Sequence, residues 1–367
     1  MDQFEIFMTG TPGLEAALHA EAIANGFADA KLVQGGVTIT GGWPDVWRAN
    51  LKMRGATRIL ARVGSFMAFH LAQLDKRARK FPWGDLLDPK LPVRVEVSTS
   101  RKSKIYHAGA ATQRIETALR ESHGMEISAE ATIVIKARID DNRVTISLDT
   151  SGESLHKRGH KEAVNKAPMR ETLAALFLRE CGYDGKMPVL DPMCGSGTFL
   201  IEAAEIARRL DPGRTRNFAF EQFASFDADK WAQMRVQSPT QTDQHFYGSD
   251  RDAGAIRMSE ANANRAGVDD LITFQNHAVT DLQRPKGPPG LIICNPPYGG
   301  RIGNPKLLFG LYGSLGKTLK DQFSGWRVGI VTSDAGLAKA TGLPFKPAGP
   351  PVPHGGLKVW LFQTGPL

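Results

Sequence analysis

Leu190-Asp191-Pro192-Met193-Cys194-Gly195-Ser196-Gly197-Thr198-Phe199 runs an apolar strand into an acid, and then into a glycine turn that opens a helix. That order is the repeating joint of a doubly wound α/β sheet, in which ligands bind at the carboxyl ends of the strands. Gly195 and Gly197 let the backbone approach a ligand where a side chain would clash. A third glycine in the G-x-G-x-x-G spacing is missing, and no Lys-Ser or Lys-Thr follows to make a P-loop. A nucleoside ligand without a phosphate cradle is therefore favoured over a dinucleotide. Its candidate contacts here are Asp191, Pro192, Cys194, Gly195, Ser196, Gly197 and Thr198.

Outward from this joint the alternation continues. Upstream, Pro168 suits the first turn of a helix with Leu173, Leu176 and Phe177 on its apolar face, ended by Gly182. Downstream, helices are predicted over Leu200–Leu210, Ala253–Ala266 and Leu307–Phe323, between strands at Phe246–Ser249, Ile272–Phe274, Leu291–Cys294 and Arg327–Thr332. Leu357–Phe362, beyond the Pro/Gly-rich loop Pro344–Gly356, predicts a closing antiparallel hairpin. The first part of the chain differs. It reads as short strands with helices between them, in two α+β units over 1–65 and 66–155, ahead of an α/β domain over 156–367.

Two further strand ends carry chemistry. Tyr247-Gly248-Ser249-Asp250 places a second acid where ribose hydroxyls can be met, with Asp252 available to cap the helix that follows. Ile292-Ile293-Cys294-Asn295-Pro296-Pro297-Tyr298-Gly299 sends an apolar strand into Asn, two prolines and an aromatic. The prolines fix their own φ and restrict Asn295, so acceptors are held rigidly at the strand end. An exocyclic amine has the donors to meet them. Such an amine is a poor nucleophile because its lone pair is delocalised into the ring. Acceptance of its two protons by the Asn295 oxygen and the Pro296 carbonyl localises that lone pair without a strong base. Tyr298 is placed to stack on the base.

Composition limits the partners. With 41% hydrophobic and 23% charged residues the chain reads as globular, and no apolar run approaches a bilayer-crossing length. The N-terminus lacks a secretory pattern, which predicts a cytoplasmic protein. Cys181, Cys194 and Cys294 give neither a disulfide framework nor a metal-ligand spacing. The net charge of +8 favours a polyanion. Basic clusters occur at Lys76–Lys80, at Arg101, Lys102 and Lys104, and from His156 to Arg170, where Lys157, Arg158 and Lys161 stand out as phosphate contacts. The Arg101–Lys104 loop also offers backbone donors if it opens the following helix, predicted over Ala110–Glu121.

Asn-Pro-Pro-Tyr with an upstream Asp-Pro-x-Cys-Gly-Ser-Gly-Thr resembles class I methyltransferases that modify amino nitrogens. Ser154–His160 and Ala167–Ala174 resemble the junction of RNA methyltransferases carrying a THUMP domain, and Phe218–Glu221 with Asn295–Arg301 resemble the guanine-N2 methyltransferases of large-subunit ribosomal RNA. The resemblance implies a ferredoxin-like start at 1–65, a THUMP RNA-binding module at 66–155, and S-adenosylmethionine as cofactor. It also implies methylation of the N2 amine of a guanine in ribosomal RNA. Only this activity is implied, and not the 7-methylguanine activity to which some bacterial relatives are fused. One departure concerns adenine recognition. Relatives usually place an acid near Ala278, whereas this chain reads Asn276-His277-Ala278, which leaves Asn276, His277 or Asp281 to meet the cofactor. The rival readings are a transfer RNA guanine-N2 methyltransferase, an adenine-N6 methyltransferase, and a noncatalytic ribosome-assembly factor.

Overall fold

The computed structural model describes residues 3–162, 169–299 and 305–367. The Ala167-Pro168 part of the junction motif, and Gly300 and Arg301, lie outside the described residues. The chain divides into two compact units, one drawn from 1–10, 22–155 and 216–236, the other from 11–21, 156–215 and 237–367.

In chain order the first part contains β1 (Phe4–Thr9), α1 (Glu15–Ala24), β2 (Lys31–Val33), β3 (Gly36–Gly41), α2 (Trp43–Lys52) and β4 (Arg58–Met67). It continues with α3 (Leu71–Arg79), β5 (Val93–Thr99), α4 (Ala108–His123), β6 (Ile133–Asp140) and β7 (Arg143–Asp149). All seven strands share one sheet, in the order β2-β3-β1-β4-β7-β6-β5. Its period is visible in β1, where Phe4, Ile6 and Met8 are buried and Glu5, Phe7 and Thr9 point the other way. β6 and β7 form a hairpin over Asp141 and Asn142, both at positive φ (48° and 61°), the backbone a two-residue turn between twisted strands requires. The sheet runs unbroken through residue 65, because β4 pairs with β1 on one side and β7 on the other.

The second part begins with α5 (Glu171–Glu180), β8 (Val189–Asp191) and α6 (Thr198–Ala207). Residues 216–236, with α7 (Ala228–Met234), then return to the first unit. Phe220 there stacks on Trp47 and meets Trp231 edge-on, building an aromatic core with ring centroids 6.1 and 5.0 Å apart. The chain resumes with β9 (Phe246–Asp250), α8 (Ala253–Ala266), β10 (Ile272–Asn276), β11 (Leu291–Cys294), α9 (Pro305–Gln322), β12 (Arg327–Thr332), α10 (Ala335–Ala340), β13 (Val352–His354) and β14 (Leu357–Gln363).

The second sheet runs β10-β9-β8-β11-β12-β14-β13, parallel through β12 and closed by the antiparallel β13–β14 hairpin. After β8 the chain winds outward through β9 and β10, then crosses to lay β11 on the other side of β8. This reversal opens a crevice at the carboxyl ends of β8 and β11, where Asp191 and Asn295 stand.

Candidate active site

A cavity of about 650 Å³ occupies that crevice, walled by the turn after β8, the ends of β9 and β10, the Asn295–Tyr298 loop and the first turns of α9. Asp191 closes β8 with a carboxyl 2% exposed, and its Oδ1 accepts a hydrogen bond from the Met193 amide at 3.0 Å. Burial, reinforced by the nearby Asp250 charge, pushes this carboxyl up to about 8. Asp250 is held by two backbone amides. Its Oδ2 accepts from the Gly195 amide at 3.1 Å and its Oδ1 from the Asp252 amide at 3.0 Å, so one carboxylate ties two strand-end turns together. Asp252 caps α8 by accepting from the Gly254 amide, which leaves Asp250 to the crevice.

The two glycines of the turn have different reasons to be glycine. Gly195 has φ +56°, lines the cavity, and would carry a Cβ into space with nothing within 4 Å. Gly197 has φ +79°, and a Cβ there would meet Ser259 at 3.2 Å and Ile201 at 3.4 Å. Close approach to a ligand therefore belongs to Gly195, while Gly197 serves the packing of α6 against α8. Ser196 and Thr198 are buried, and their hydroxyl oxygens lie 3.3 Å apart. Cys194 is buried with its thiol pushed well above the usual range by desolvation, so it supplies surface and not a nucleophile.

The far wall is the Asn295 loop. Asn295, Pro296, Pro297 and Tyr298 all line the cavity, and Tyr298 is 4% exposed. The Asn295 Oδ1 atom is buried and has no hydrogen-bond partner among the described residues. A buried acceptor left unmatched on the wall of a cavity points to a donor brought by a ligand. The loop is steadied by Tyr312 of α9, buried with its hydroxyl 3.4 Å from the Pro297 carbonyl and 3.2 Å from Thr332 Oγ1. Leu307, Leu311 and Ser314 of α9 complete that wall. None of these α9 residues is singled out by sequence reasoning; the apolar period of 307–323 is the only signal they leave.

After β10, His277 and Ala278 line the cavity, whereas Asn276 is exposed and turns its amide to the Asp250 carbonyl at 2.8 Å. Asn276 is thus placed to steady the Asp250 strand end, not to face the cavity. Asp281 also lies off the wall and is exposed.

The basic residues separate sharply. Arg101, Lys102, Lys104 and Lys157 are exposed. The Arg101–Lys104 loop does not open a helix, since α4 starts only at Ala108 after His107, and the expected helix-start donors are absent there. The loop is instead pinned to the β6–β7 turn, where the Lys104 amide donates to Asn142 Oδ1 at 2.9 Å. Arg158 and Lys161, expected among the phosphate contacts, turn inward. The Arg158 side chain is 2% exposed and paired to the fully buried Glu202 at 3.1 Å, and that of Lys161 is 9% exposed and hydrogen-bonded inside the second unit. Local charge in a sequence does not reveal which cations a fold takes inside.

Among the described residues, no three His, Cys, Asp or Glu gather as a metal site, and no helix is long and apolar enough to cross a membrane.

Residues 158–344 match the model of the RMKL-like methyltransferase domain, and residues 5–60 match that of the RlmL ferredoxin-like domain. The chain is 36% identical over 341 residues to the ribosomal RNA large subunit methyltransferase K/L of Aliivibrio salmonicida, covering 89% of this chain and 48% of that protein. It therefore spans about half the length of that relative. A candidate RNA methyltransferase of Synechocystis is 31% identical, with 97% and 95% of the two chains covered. Among solved structures, SMU.472, a candidate methyltransferase crystallised with S-adenosylhomocysteine, superposes with a TM-score of 0.88 at 27% identity, covering 100% of this chain and 99% of that one. A protein of Listeria monocytogenes described as a predicted N6-adenine-specific DNA methylase does so with 0.87 at 31%, covering 100% and 97%.

Proposed function

Since the chain belongs to the RMKL-like methyltransferase family, we propose that it transfers a methyl group from S-adenosylmethionine to the N2 amine of a guanine in large-subunit ribosomal RNA. The single observation that carries the amine as target is the buried Asn295 Oδ1, without a hydrogen-bond partner among the described residues, in the same cavity as the glycine turn.

The residues fit the cofactor. Gly195 leaves open space against the cavity, Asp250 presents a carboxylate beside it for ribose hydroxyls, and His277 and Ala278 offer a wall for the adenine. Asp191, buried on the cavity wall at the strand end, would be held in its ionised form by a cationic group of the ligand. When bound, S-adenosylmethionine supplies the electrophilic methyl group. Asn295 Oδ1 and the Pro296 carbonyl accept hydrogen bonds from the two N–H groups of the amine and aim its lone pair, and the proton that the methylated nitrogen sheds passes to water. The prolines prevent that pair of acceptors from relaxing, so the dipoles are preorganised and no strong base is needed. Tyr298 holds the base by its ring face. The 66–155 region serves as a THUMP-type module, and Arg101, Lys102 and Lys104, with Lys157, hold RNA phosphates.

The test is a nucleoside digest of ribosomal RNA methylated by the purified chain with labelled cofactor. N2-methylguanosine is expected. N6-methyladenosine, the reading favoured by the likeness to the Listeria protein, would replace it, as would label confined to transfer RNA.

A further inference from the structure

Lys161 sits beside the cavity without lining it. Its Nζ donates to the Met169 carbonyl at 2.7 Å and to Thr198 Oγ1 at 2.9 Å, and lies 3.4 Å from Glu171 Oε1. An ammonium has three protons, and three acceptors surround this one. They come from two pieces of chain: Met169 and Glu171 at the entry and first residue of α5, and Thr198 at the first residue of α6. Met169 and Thr198 are both walls of the cavity, and Thr198 is in turn within hydrogen-bonding distance of Ser196 on the glycine turn.

We propose that Lys161 is a positioning residue for the cofactor: by binding the Met169 main chain and the Thr198 hydroxyl to one ammonium, it fixes the gap between the chain entering α5 and the start of α6. The inference rests on the reading of this cavity as the S-adenosylmethionine site. A cation taken out of water survives only when its charge is opposed and its protons are taken, and Glu171, itself 3% exposed, supplies the opposing charge. Burial lowers the Lys161 ammonium from its ordinary range and raises the Glu171 carboxyl, while each charge favours the other. Replacement by an apolar pair would hold α5 to α6 as firmly by packing, but would leave the Thr198 hydroxyl and the Met169 carbonyl without this shared donor. The geometry of the wall, more than its stability, is what the ammonium sets.

The experiment uses the full chain and S-adenosylhomocysteine as the calorimetric probe. Lys161→Met keeps the stem and removes the charge and its donors. It is expected to weaken the probe about tenfold or more, and to raise KM for S-adenosylmethionine while kcat stays within about threefold. RNA affinity and its salt slope should not move, and Lys161→Arg should recover part of the missing affinity. Thr198→Val, which removes one acceptor and keeps the shape, should add nothing to Lys161→Met in the double variant. Wild-type affinity in Lys161→Met overturns the proposal, and so does a flattened salt slope for RNA, which would make Lys161 a phosphate contact after all. Should Lys161→Met fail to fold, unchanged probe affinity in Thr198→Val overturns it equally. Failure of the wild type to bind the probe would sink the methyltransferase reading instead.

Discussion

The Gly195 amide donates to Asp250 Oδ2 at 3.1 Å, across a sequence separation of 55 residues. The glycine turn after β8 is therefore shaped by the acid at the end of β9 as well as by its own backbone. Both residues face the same cavity.

From this bond follows the first prediction. Asp250→Ala removes the acceptor of two backbone amides, those of Gly195 and Asp252. Hydrogen bonds to a charged group contribute about 1.5–3 kcal/mol each, so the loosened turn should lower S-adenosylhomocysteine affinity by about tenfold or more. Asp252→Ala removes only the α8 cap and should cost about 1 kcal/mol of stability with little change in affinity. Calorimetry and thermal melting on both variants separate the two acids; equal affinity losses would contradict their different roles.

Asp191 makes stability depend on pH in a definite direction. Its carboxyl ionises near the ordinary carboxylate range when unfolded, and is pushed up to about 8 by burial in the folded chain. Between those values the folded state binds more protons than the unfolded state. Stability from this group is full below the unfolded value, falls as pH rises through 8, and changes no further above it. Asp191→Asn should flatten that decline, so melting temperatures of wild type and variant, compared without ligand from pH 5 to 9, should diverge with rising pH in favour of the variant. Parallel curves would show that Asp191 is not buried in its neutral form.

Asn295→Ala should abolish most turnover while leaving S-adenosylhomocysteine binding near wild type, because its oxygen, unmatched among the described residues, is assigned to the substrate amine. A single-turnover rate above about a tenth of wild type, a loss under about 1.4 kcal/mol, would remove Asn295 from amine activation.

The glycine turn and the Asn-Pro-Pro-Tyr loop are legible in the sequence because proline and glycine act on their own backbone. Their consequences are local, and the strands ending at Asp191 and Cys294 fall where the sequence places them. What is illegible depends on tertiary placement. Leu307, Leu311 and Ser314 line the cavity, and Tyr312 steadies the Pro297 carbonyl behind it, only because α9 folds back over the crevice. Phe218, Phe220 and Trp231 read as part of the α/β domain, yet belong to the first unit. Aromatic residues announce a core without saying whose.

The neighbours Lys157 and Arg158 give the clearest separation of surface charge from buried charge. Lys157 is exposed, whereas Arg158 is 2% exposed and its Nε meets Glu202 Oε1 at 3.1 Å. Arg158→Met leaves the carboxylate of Glu202 buried without this partner, a defect worth about 3–5 kcal/mol, and should lower the melting temperature strongly. Lys157→Ala, combined with Arg101, Lys102 and Lys104→Ala, removes four exposed cations and should leave melting nearly unchanged. If these four hold phosphates, RNA affinity should fall across sequences, and the slope of log affinity against log salt should shrink by about 0.7–0.9 for each phosphate no longer neutralised. Binding titrations from low to moderate salt measure both quantities. An unchanged slope would remove the loop and Lys157 from the RNA surface. The Lys76–Lys80 cluster would then be the candidate to test, because Lys76, Arg77 and Lys80 are exposed while Arg79 is held by Asp75 and Glu121.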